Sequence, residues 1–292
     1  MTVDVSPRLV LQQGGVIGAF LLGAAKSLLP KSGGGLDHSE VVRHAAAPST
    51  ELLAAYAAWA RAPAGRYAAE VPPHFVACQV ALPVISALTA RSPYPLLGVL
   101  NQGIHLKMNA TVPVGEALTV RGHLVDAGDD GYRARIHSTL TVAVEGGSPL
   151  MSLDAYAAVV LKRRSEGAAA PRTEPDWETV GEWQATEADG RKFFFLTGDF
   201  NPIHTLPVFA RRTAFKGCIM HGYGAFAQVF EAVRNAGHAV ADIDVRFVRP
   251  LPLPSPVVRI QVAREASADG RRALRLVDDT GAVYQAGSFL PR

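Results

Sequence analysis

Cysteine is scarce in this chain of 292 residues, and charge is sparse. The two cysteines, Cys78 and Cys218, lie far apart and outside any CxxC spacing. A disulfide framework and a structural zinc site therefore have no support, and the sequence predicts two thiols in a reducing, cytoplasmic compartment. The chain also lacks a basic block, and its formal net charge is only +3. That balance argues against non-specific binding to nucleic acid.

An apolar run long enough to span a bilayer is missing from the N-terminal region. The run from Val16 to Ala25 is too short for a span, although it resembles the core of a signal peptide. A secretory signal would begin with basic residues, whereas this chain has Asp4 before Arg8 and continues into Lys26 and a Gly-rich spacer. We therefore predict that residues 1–35 are an extension, either an accessory helix packed on the protein or loosely ordered, rather than an export signal.

Apolar residues are plentiful, at 48% of the chain, which is typical of a globular protein with a substantial core. The length fits two domains or two copies of a smaller unit. Hydrophobic periodicity stops at residues 163–176, where charge, Ala, Gly and Pro take over. This composition predicts a linker between an N-terminal unit, residues 36–162, and a C-terminal unit, residues 177–292.

The same order of elements recurs on both sides of the linker. The first unit has a helix capped near Ser49, an apolar helix from His74 to Ala90 with a kink at Pro83, and then long strand-like segments. The second unit repeats helix, loop, long helix and strands, and a shift of 141 residues sets Ile104 on Val245. This repeat predicts an α+β fold of two long helices, each wrapped by a curved antiparallel sheet, with the sheets joined edge to edge.

The segment FFFLTGDFNPIHT, Phe193 to Thr205, places an acid, an amide and an imidazole beside an apolar run. Turn chemistry explains part of the pattern, because Gly198 permits a tight backbone path and Asp199 and Asn201 are good turn formers. A surface turn is therefore one interpretation. The other is a reactive site, because desolvation by the neighbouring aromatics can shift the pKa values of Asp199 and His204 toward those needed for proton transfer.

A second feature favours the reactive site. His221 and Gly222 stand at the predicted start of the long apolar helix, where free backbone N–H groups stabilise developing negative charge. A general base, a general acid and a donor for an oxyanion are then all present. Adding water to a double bond conjugated to a thioester needs no more than these groups, so we predict no metal and no cofactor.

FLTGDFNPIH, followed by FARRTAFKGCIMHGYG, resembles the signature of the MaoC-like, R-specific enoyl-CoA hydratases and 3-hydroxyacyl-thioester dehydratases, which have a hot-dog fold. The resemblance is close from about Phe193 to Phe230. It implies that Asp199 and His204 are catalytic, that Asn201 orients the site and that the N–H of Gly222 binds the thioester carbonyl. It also implies a double hot-dog that hydrates trans-2-enoyl thioesters, or dehydrates (3R)-3-hydroxyacyl thioesters, of CoA or acyl carrier protein in fatty-acid metabolism.

Family members with two hot-dog units usually keep the signature only in the second unit. In the first unit of this chain, Tyr56 to Tyr67 occupies the corresponding place, with Ala62 where the Asp would lie and Tyr67 where the His would lie. The resemblance therefore implies an N-terminal unit without catalytic groups, whose kinked helix leaves room for a long or bulky acyl chain. A homodimer of the double hot-dog is compatible with this plan.

The chain departs from the family pattern at three positions. Leu206 stands where an Asp is frequent, Cys218 replaces a common Pro, and Phe230 replaces a Ser of some hydratases. Because none of these residues belongs to the central acid, base and donor, we expect the departures to affect substrate fit more than the chemistry.

Several alternatives remain open at this point. Asp199, His204, Cys218 and His221 are all of metal-ligand type, although their spacing matches no common zinc pattern. Cys218 with His221 as base would make a nucleophile. A thioesterase on this fold would need an acid from the helix, where only Glu231 is available, late and expected to be exposed. A non-catalytic acyl-binding subunit of a heteromeric dehydratase is the remaining alternative.

Basic residues flank the motif in the sequence. They could contact the phosphates of coenzyme A or the acidic surface of an acyl carrier protein, or they could simply form a solvated face. The residues concerned are Arg211, Arg212, Lys216, Arg246 and Arg249.

Overall fold

The structure is a computed structural model that describes residues 3–27, 36–94, 99–162 and 174–292. The Gly-rich spacer at 28–35 and the predicted linker from 163 to 173 lie outside the described residues. The helices begin with a short 3-10 helix at Pro7–Gln13 and continue with α1 (Gly14–Ser27), α2 (Thr50–Trp59), α3 (Pro73–Phe75), a π-helical turn (Val76–Val80), α4 (Leu82–Thr89), α5 (Asp189–Thr197), α6 (Pro202–Thr205), α7 (Pro207–Ala210) and α8 (Gly222–Asn235).

All the described strands join one antiparallel sheet of ten strands, in the order β1-β3-β4-β5-β2-β7-β10-β9-β8-β6. Their bounds are β1 (Val41–Ala45), β2 (Val99–Met108), β3 (Leu118–Asp129), β4 (Arg133–Val144), β5 (Met151–Val160), β6 (Trp177–Trp183), β7 (Val240–Phe247), β8 (Val258–Ala263), β9 (Arg272–Asp278) and β10 (Val283–Pro291). The sheet is continuous because β2 and β7 pair at its centre, and this pairing covers the inner edge of each half.

The strand order reads the same from either end if each strand of residues 41–160 is matched with one of residues 177–291. Ile104 and Val245, which the 141-residue shift treats as equivalent, are direct cross-strand partners. Equivalent residues face each other in this way on an axis of approximate twofold symmetry. The structure therefore has two matched halves, while the exact unit boundaries at 36–162 and 177–292 stay a prediction.

Alternating burial explains most of the strands that the sequence predicts. In β4 and β5 every second side chain is buried, so one face of the sheet packs on the helices and the other faces outward. Strands β1 and β6 are not among the predicted segments, whereas β2 contains His105, which the sequence places on a strand. β1 and β6 are short strands at the two ends of the sheet, and β2 carries polar residues and a register shift between Asn101 and Gly103.

Two helical segments pack against the sheet. In the second half this is α8, which buries ten of its residues, and in the first half it is the continuous run α3, π-helical turn and α4. The kink predicted at Pro83 is confirmed: Pro83 has no N–H, and two residues earlier the N–H of Ala81 donates to the carbonyl of Val76 in a π-helical bond of 2.9 Å.

The N-terminal residues form a 3-10 helix and α1, which pack on α5 and α4. Leu9 and Val16 are buried in this contact. Within the described ranges, no helix is both long and apolar enough to cross a membrane. The N-terminal helix is thus an element of the folded molecule, packed beside the loop that carries the sequence motif.

Candidate active site

The motif loop, residues 198–205, is shaped by the end of α5 and by the start of α6. Helix α5 ends at Gly198, whose φ of 75° lies in the left-handed region that favours glycine. Asn201 is extended, as expected before a proline, and its Oδ1 accepts a hydrogen bond of 3.2 Å from the N–H of Ile203. The turn chemistry seen in the sequence is therefore real, and it holds Asp199 between two helix ends.

A cavity of about 300 Å³ opens beside this loop. Its lining includes all four residues that the sequence selected: Asp199, Asn201, His204 and Gly222. The tertiary structure therefore brings together residues from the motif loop and from the start of α8. The opposite wall comes from the first half of the chain, mainly from α4 and β2.

Asp199 is a desolvated acid, with 8% of its surface exposed. Burial raises the pKa of its carboxyl group from an ordinary 3.8 to about 7. Among the described residues, no side chain or backbone group donates a hydrogen bond to its carboxylate oxygens. Asp199 can therefore either hold or release a proton near neutral pH, and its oxygens are left for a ligand.

His204 is fixed in one tautomer by its backbone contact. Its Nδ1 donates a hydrogen bond of 2.8 Å to the carbonyl oxygen of Ile219, so the neutral ring carries an unprotonated Nε2. Burial lowers the pKa of His204 to about 4, although the hydrogen bond to Ile219 opposes the shift. At neutral pH the ring is thus uncharged, and Nε2 is available as a base.

His221 contacts both Asp199 and His204. Its ring stacks on that of His204 at a centroid distance of 3.8 Å, and its Nε2 donates to the backbone oxygen of Asp199 at 3.0 Å. Burial lowers the pKa of His221, and the neighbouring His204 lowers it further. The sequence marked His221 as a helix start, a candidate metal ligand and a candidate base for Cys218, but it did not predict these contacts, because spacing does not reveal which side chains pack together.

Gly222 is the first residue of α8, so its N–H has no partner within the helix. Its carbonyl accepts a hydrogen bond of 2.8 Å from Nε2 of Gln285, which fixes this end of the helix. A Cβ at position 222 would collide with the ring of Phe247. The helix start is therefore held closely against β7, with a free donor at the cavity wall.

The first half of the chain supplies cavity residues that the motif could not reveal. Leu82, Ile85, Ser86 and Thr89 of α4 all line the cavity, and they share one face because they are three and four residues apart. The only sequence signal was the apolar, kinked helix. The hydroxyl of Tyr223 in α8, which is not part of the cavity lining, was also missed: it is buried without a hydrogen-bond partner among the described residues.

The geometry supports neither the metal site nor the nucleophile that would use Cys218. No three His, Cys, Asp or Glu side chains of the described residues are grouped so that they could hold a metal ion. His221 directs Nε2 to Asp199 rather than toward a thiol. Burial raises the pKa of Cys218, which disfavours the thiolate that a nucleophile needs.

Glu231 was expected to be exposed, and that prediction is wrong. Its side chain is buried and forms a polar cluster with Arg66, Tyr67 and His74, at 2.6 Å from Nη1 of Arg66 and 2.9 Å from Nε2 of His74. Burial alone would raise the pKa of Glu231, but the hydrogen bonds from His74 and Tyr67 and the charge of Arg66 hold it below its usual value. The helix face looked exposed because its partners lie about 160 residues away in the sequence.

The basic residues divide into three groups. Arg211, Arg212 and Lys216 are exposed. Arg246 is bound, since it pairs with Asp244 at 2.9 Å and its guanidinium lies 3.7 Å from the centroid of the Tyr156 ring. Of the five basic residues that flank the motif in the sequence, only Arg249 lines the cavity.

Comparisons with known proteins concern the reaction class of similar proteins and the fold. Residues 168–281 match the model of the MaoC like domain. The 3-hydroxyacyl-thioester dehydratase Y of Mycobacterium tuberculosis is 27% identical over 243 residues, which are 74% of this chain and 82% of that protein. The match thus includes most of both proteins.

Solved structures show the same fold. HtdX of Mycobacterium tuberculosis superposes with a TM-score of 0.70 at 22% identity, covering 87% of this chain and 100% of the other. A MaoC-like dehydratase of Phytophthora capsici gives a TM-score of 0.70 at 18% identity, with 88% and 96% covered. The α+β double hot-dog prediction is confirmed: the chain has the fold of the MaoC-like dehydratases, and its residues 168–281 are similar to the MaoC like domain.

Proposed function

We propose that the protein adds water reversibly to trans-2-enoyl thioesters and, in the reverse direction, dehydrates (3R)-3-hydroxyacyl thioesters. One observation carries the proposal: a desolvated carboxyl, an imidazole with a free Nε2 and the start of α8 share one cavity. The relative named 3-hydroxyacyl-thioester dehydratase supports the same reaction class. The R stereochemistry and the fatty-acid context rest on the family resemblance.

The direction of proton transfer follows from the shifted pKa values of Asp199 and His204. Near neutral pH, Asp199 with a pKa of about 7 is partly protonated and His204 with a pKa of about 4 is neutral. As water attacks C3, Nε2 of His204 accepts its proton, and the electron pair of the double bond moves to C2 and the thioester oxygen. The carboxyl of Asp199 then protonates C2. The imidazolium returns its proton to Asp199, which restores the starting state.

Binding residues complete the proposed mechanism. The N–H of Gly222 faces the enolate oxygen and stabilises it as the charge develops. Asn201 uses Oδ1 to cap α6, so its amide nitrogen is the group left to orient water or substrate. The apolar α4 wall, with Leu82 and Ile85, suits a hydrocarbon chain. We propose acyl-CoA or acyl carrier protein as the substrate form, with Arg249 at the cavity available to a phosphate.

The same reasoning extends to the architecture and compartment. We propose that the unit at 177–292 carries the chemistry and that the unit at 36–162 supplies acyl-binding surface, with a homodimer compatible with this plan. Cys78 and Cys218 are unpaired thiols, which supports a reducing, cytoplasmic compartment. A thioesterase is less well supported, because Glu231 belongs to the polar cluster rather than to the cavity lining.

The test is the loss of the conjugated-thioester absorbance of crotonyl-CoA and of a longer enoyl-CoA. Asp199→Asn and His204→Ala should each lower turnover by about 10²–10⁴-fold, as expected when an acid–base group is removed. Asp269→Asn and His123→Ala, which change an exposed acid and an exposed imidazole, are matched controls and should leave turnover unchanged.

Two results would contradict the proposal. One is full turnover by folded Asp199→Asn and His204→Ala. The other is no turnover by the wild-type protein with CoA and carrier-protein substrates of several lengths, where thioester binding without reaction would favour the acyl-binding subunit. Release of free thiol in the same assay would favour a thioesterase.

A further inference from the structure

The N-terminal segment, residues 3–27, touches the motif loop through a buried polar side chain. Gln13 has none of its surface exposed. Its Nε2 donates a hydrogen bond of 3.1 Å to the carbonyl of Leu196, in the last turn of α5, and its Oε1 accepts one of 3.0 Å from Nε2 of Gln79. Gln13 therefore joins the helix that leads into Asp199 to the central helix of the first half.

The contact continues at the residue directly before Asp199. A Cβ on Gly198 would lie 2.9 Å from the Cβ atoms of both Gln13 and Val16, closer than real side chains approach. The backbone of the motif loop thus lies directly against the N-terminal segment. This close approach is a second reason, besides its positive φ, why residue 198 is glycine.

Phe20 lies on the same face of α1 as Val16 and lines the cavity. It lies one turn after Val16, and residues four apart share a face of an α-helix. Phe20 lines the cavity together with Asp199, His204, Leu82 and Ile85. Because α1 packs against α4, Phe20, Leu82 and Ile85 contribute one apolar section of the cavity wall.

We infer that the N-terminal segment completes the substrate site: Phe20 is the acyl-side wall that limits chain length, and Gln13 is a positioning residue for the loop of Asp199. This inference deepens the proposed function and rests on it for the identity of the ligand. It gives the apolar N-terminal run, which resembled a signal peptide in the sequence, a place in substrate recognition.

The first test measures binding, so that it does not depend on turnover. Calorimetry with the saturated thioesters butyryl-CoA and decanoyl-CoA gives the ratio of their two affinities. Phe20→Ala opens the wall and should shift that ratio toward decanoyl-CoA by about tenfold, the size of effect expected for a change in an apolar pocket. Leu21→Ala is the matched control, because Leu21 is the next residue of α1 and is 56% exposed.

The binding result decides the role of Phe20. An unchanged ratio in Phe20→Ala, or an equal shift in Leu21→Ala, would overturn it. If the wild-type protein binds both thioesters but hydrates no enoyl thioester, the proposed function fails while the inference about the wall is still decided by the ratio. If it binds no thioester, both fail.

The second test concerns Gln13. Gln13→Met keeps the side-chain length but removes both hydrogen bonds, and it should lower kcat by about tenfold while KM changes less than about twofold, because positioning errors affect the chemical step. Gln12→Met is the matched control: Gln12 binds Ser49 and Glu51 at the surface. Equal kcat values for the two variants, or a loss confined to KM, would overturn the positioning role.

Discussion

The start of each central helix carries polar groups, but the two places differ in how those groups are used. Beside the start of α8, Asp199 and His204 line a cavity, and neither the Asp199 carboxylate nor Nε2 of His204 has a hydrogen-bond partner among the described residues. Beside the start of α3, Tyr67 and His74 are bound to Glu231 near the end of α8. Near the start of its central helix, the first half thus has polar groups that are bound by a carboxylate of the second half, whereas the second half leaves Asp199 and His204 for a ligand.

This difference has an energetic meaning. A buried polar group without a partner costs folding free energy, whereas a fully hydrogen-bonded cluster does not carry that cost. Sites that bind and react are where proteins retain such unsatisfied groups. The polar cluster of Arg66, Tyr67, His74 and Glu231 should therefore support stability, and the groups around Asp199 should reduce it.

The largest expected effect comes from breaking the polar cluster. Glu231→Ala leaves the buried His74 and the partly buried Arg66 without their carboxylate, and it should lower the free energy of unfolding by about 3–5 kcal/mol. Urea denaturation measures this change, with exposed Glu187→Ala as the control. A loss below about 1 kcal/mol, equal to that of the control, would show that the polar cluster does not stabilise the fold.

The second expected effect has the opposite sign and depends on pH. Because the pKa of Asp199 is raised from 3.8 to about 7, the contribution of this group to stability is fully present below about pH 3.8 and is lost as the pH rises through about 7. Asp199→Asn avoids that loss. It should therefore be more stable than the wild type at pH 8 by up to about 4 kcal/mol, with the difference vanishing near pH 4.

Urea denaturation at pH 4, 6 and 8 measures that trend. Asp269→Asn is the control: a hydrogen bond from Ser267 lowers the pKa of Asp269, so its replacement should not stabilise the protein at high pH. A stability difference between Asp199→Asn and the wild type that stays constant from pH 4 to pH 8 would show that the carboxyl is not desolvated.

The smallest expected effect compares two tyrosines. Tyr223→Phe removes a buried hydroxyl without a partner among the described residues, so unfolding free energy should stay the same or rise by about 1 kcal/mol. Tyr67→Phe removes the hydroxyl that donates to Glu231 and should cost about 1–3 kcal/mol. Thermal and urea unfolding measure both. If both variants lose the same free energy of unfolding, the hydroxyls of Tyr67 and Tyr223 do not differ in their contribution to stability.

Sequence patterns with a short range predicted much of the fold. The kink at Pro83, the cap at Ser49, helices α5 and α8 and the long strands β3, β4 and β5 all depend on residues that are close in sequence. The ten-stranded sheet could be anticipated only as two joined halves. Strands β1 and β6 at its ends were missed, since their pairing partners set them and local alternation does not.

The site divides in the same way. Asp199, Asn201, His204 and Gly222 were found from one motif, since turn formers, an acid, an imidazole and a helix start leave local signals. The burial of Glu231, the stacking of His221 on His204 and the contact of Gln13 with Leu196 were not found. Each of these depends on chain segments that meet only after folding.

The sequence by itself determined the chemical groups and the turns that hold them, because caps, glycine conformations and proline restrictions act between near neighbours. The tertiary structure alone decided which groups lose water and which find partners. Desolvation and hydrogen bonding depend on what packs around a side chain, so the raised pKa of Asp199 and the place of Phe20 in the cavity lining exist only once the N-terminal segment, the first half and the second half are packed together.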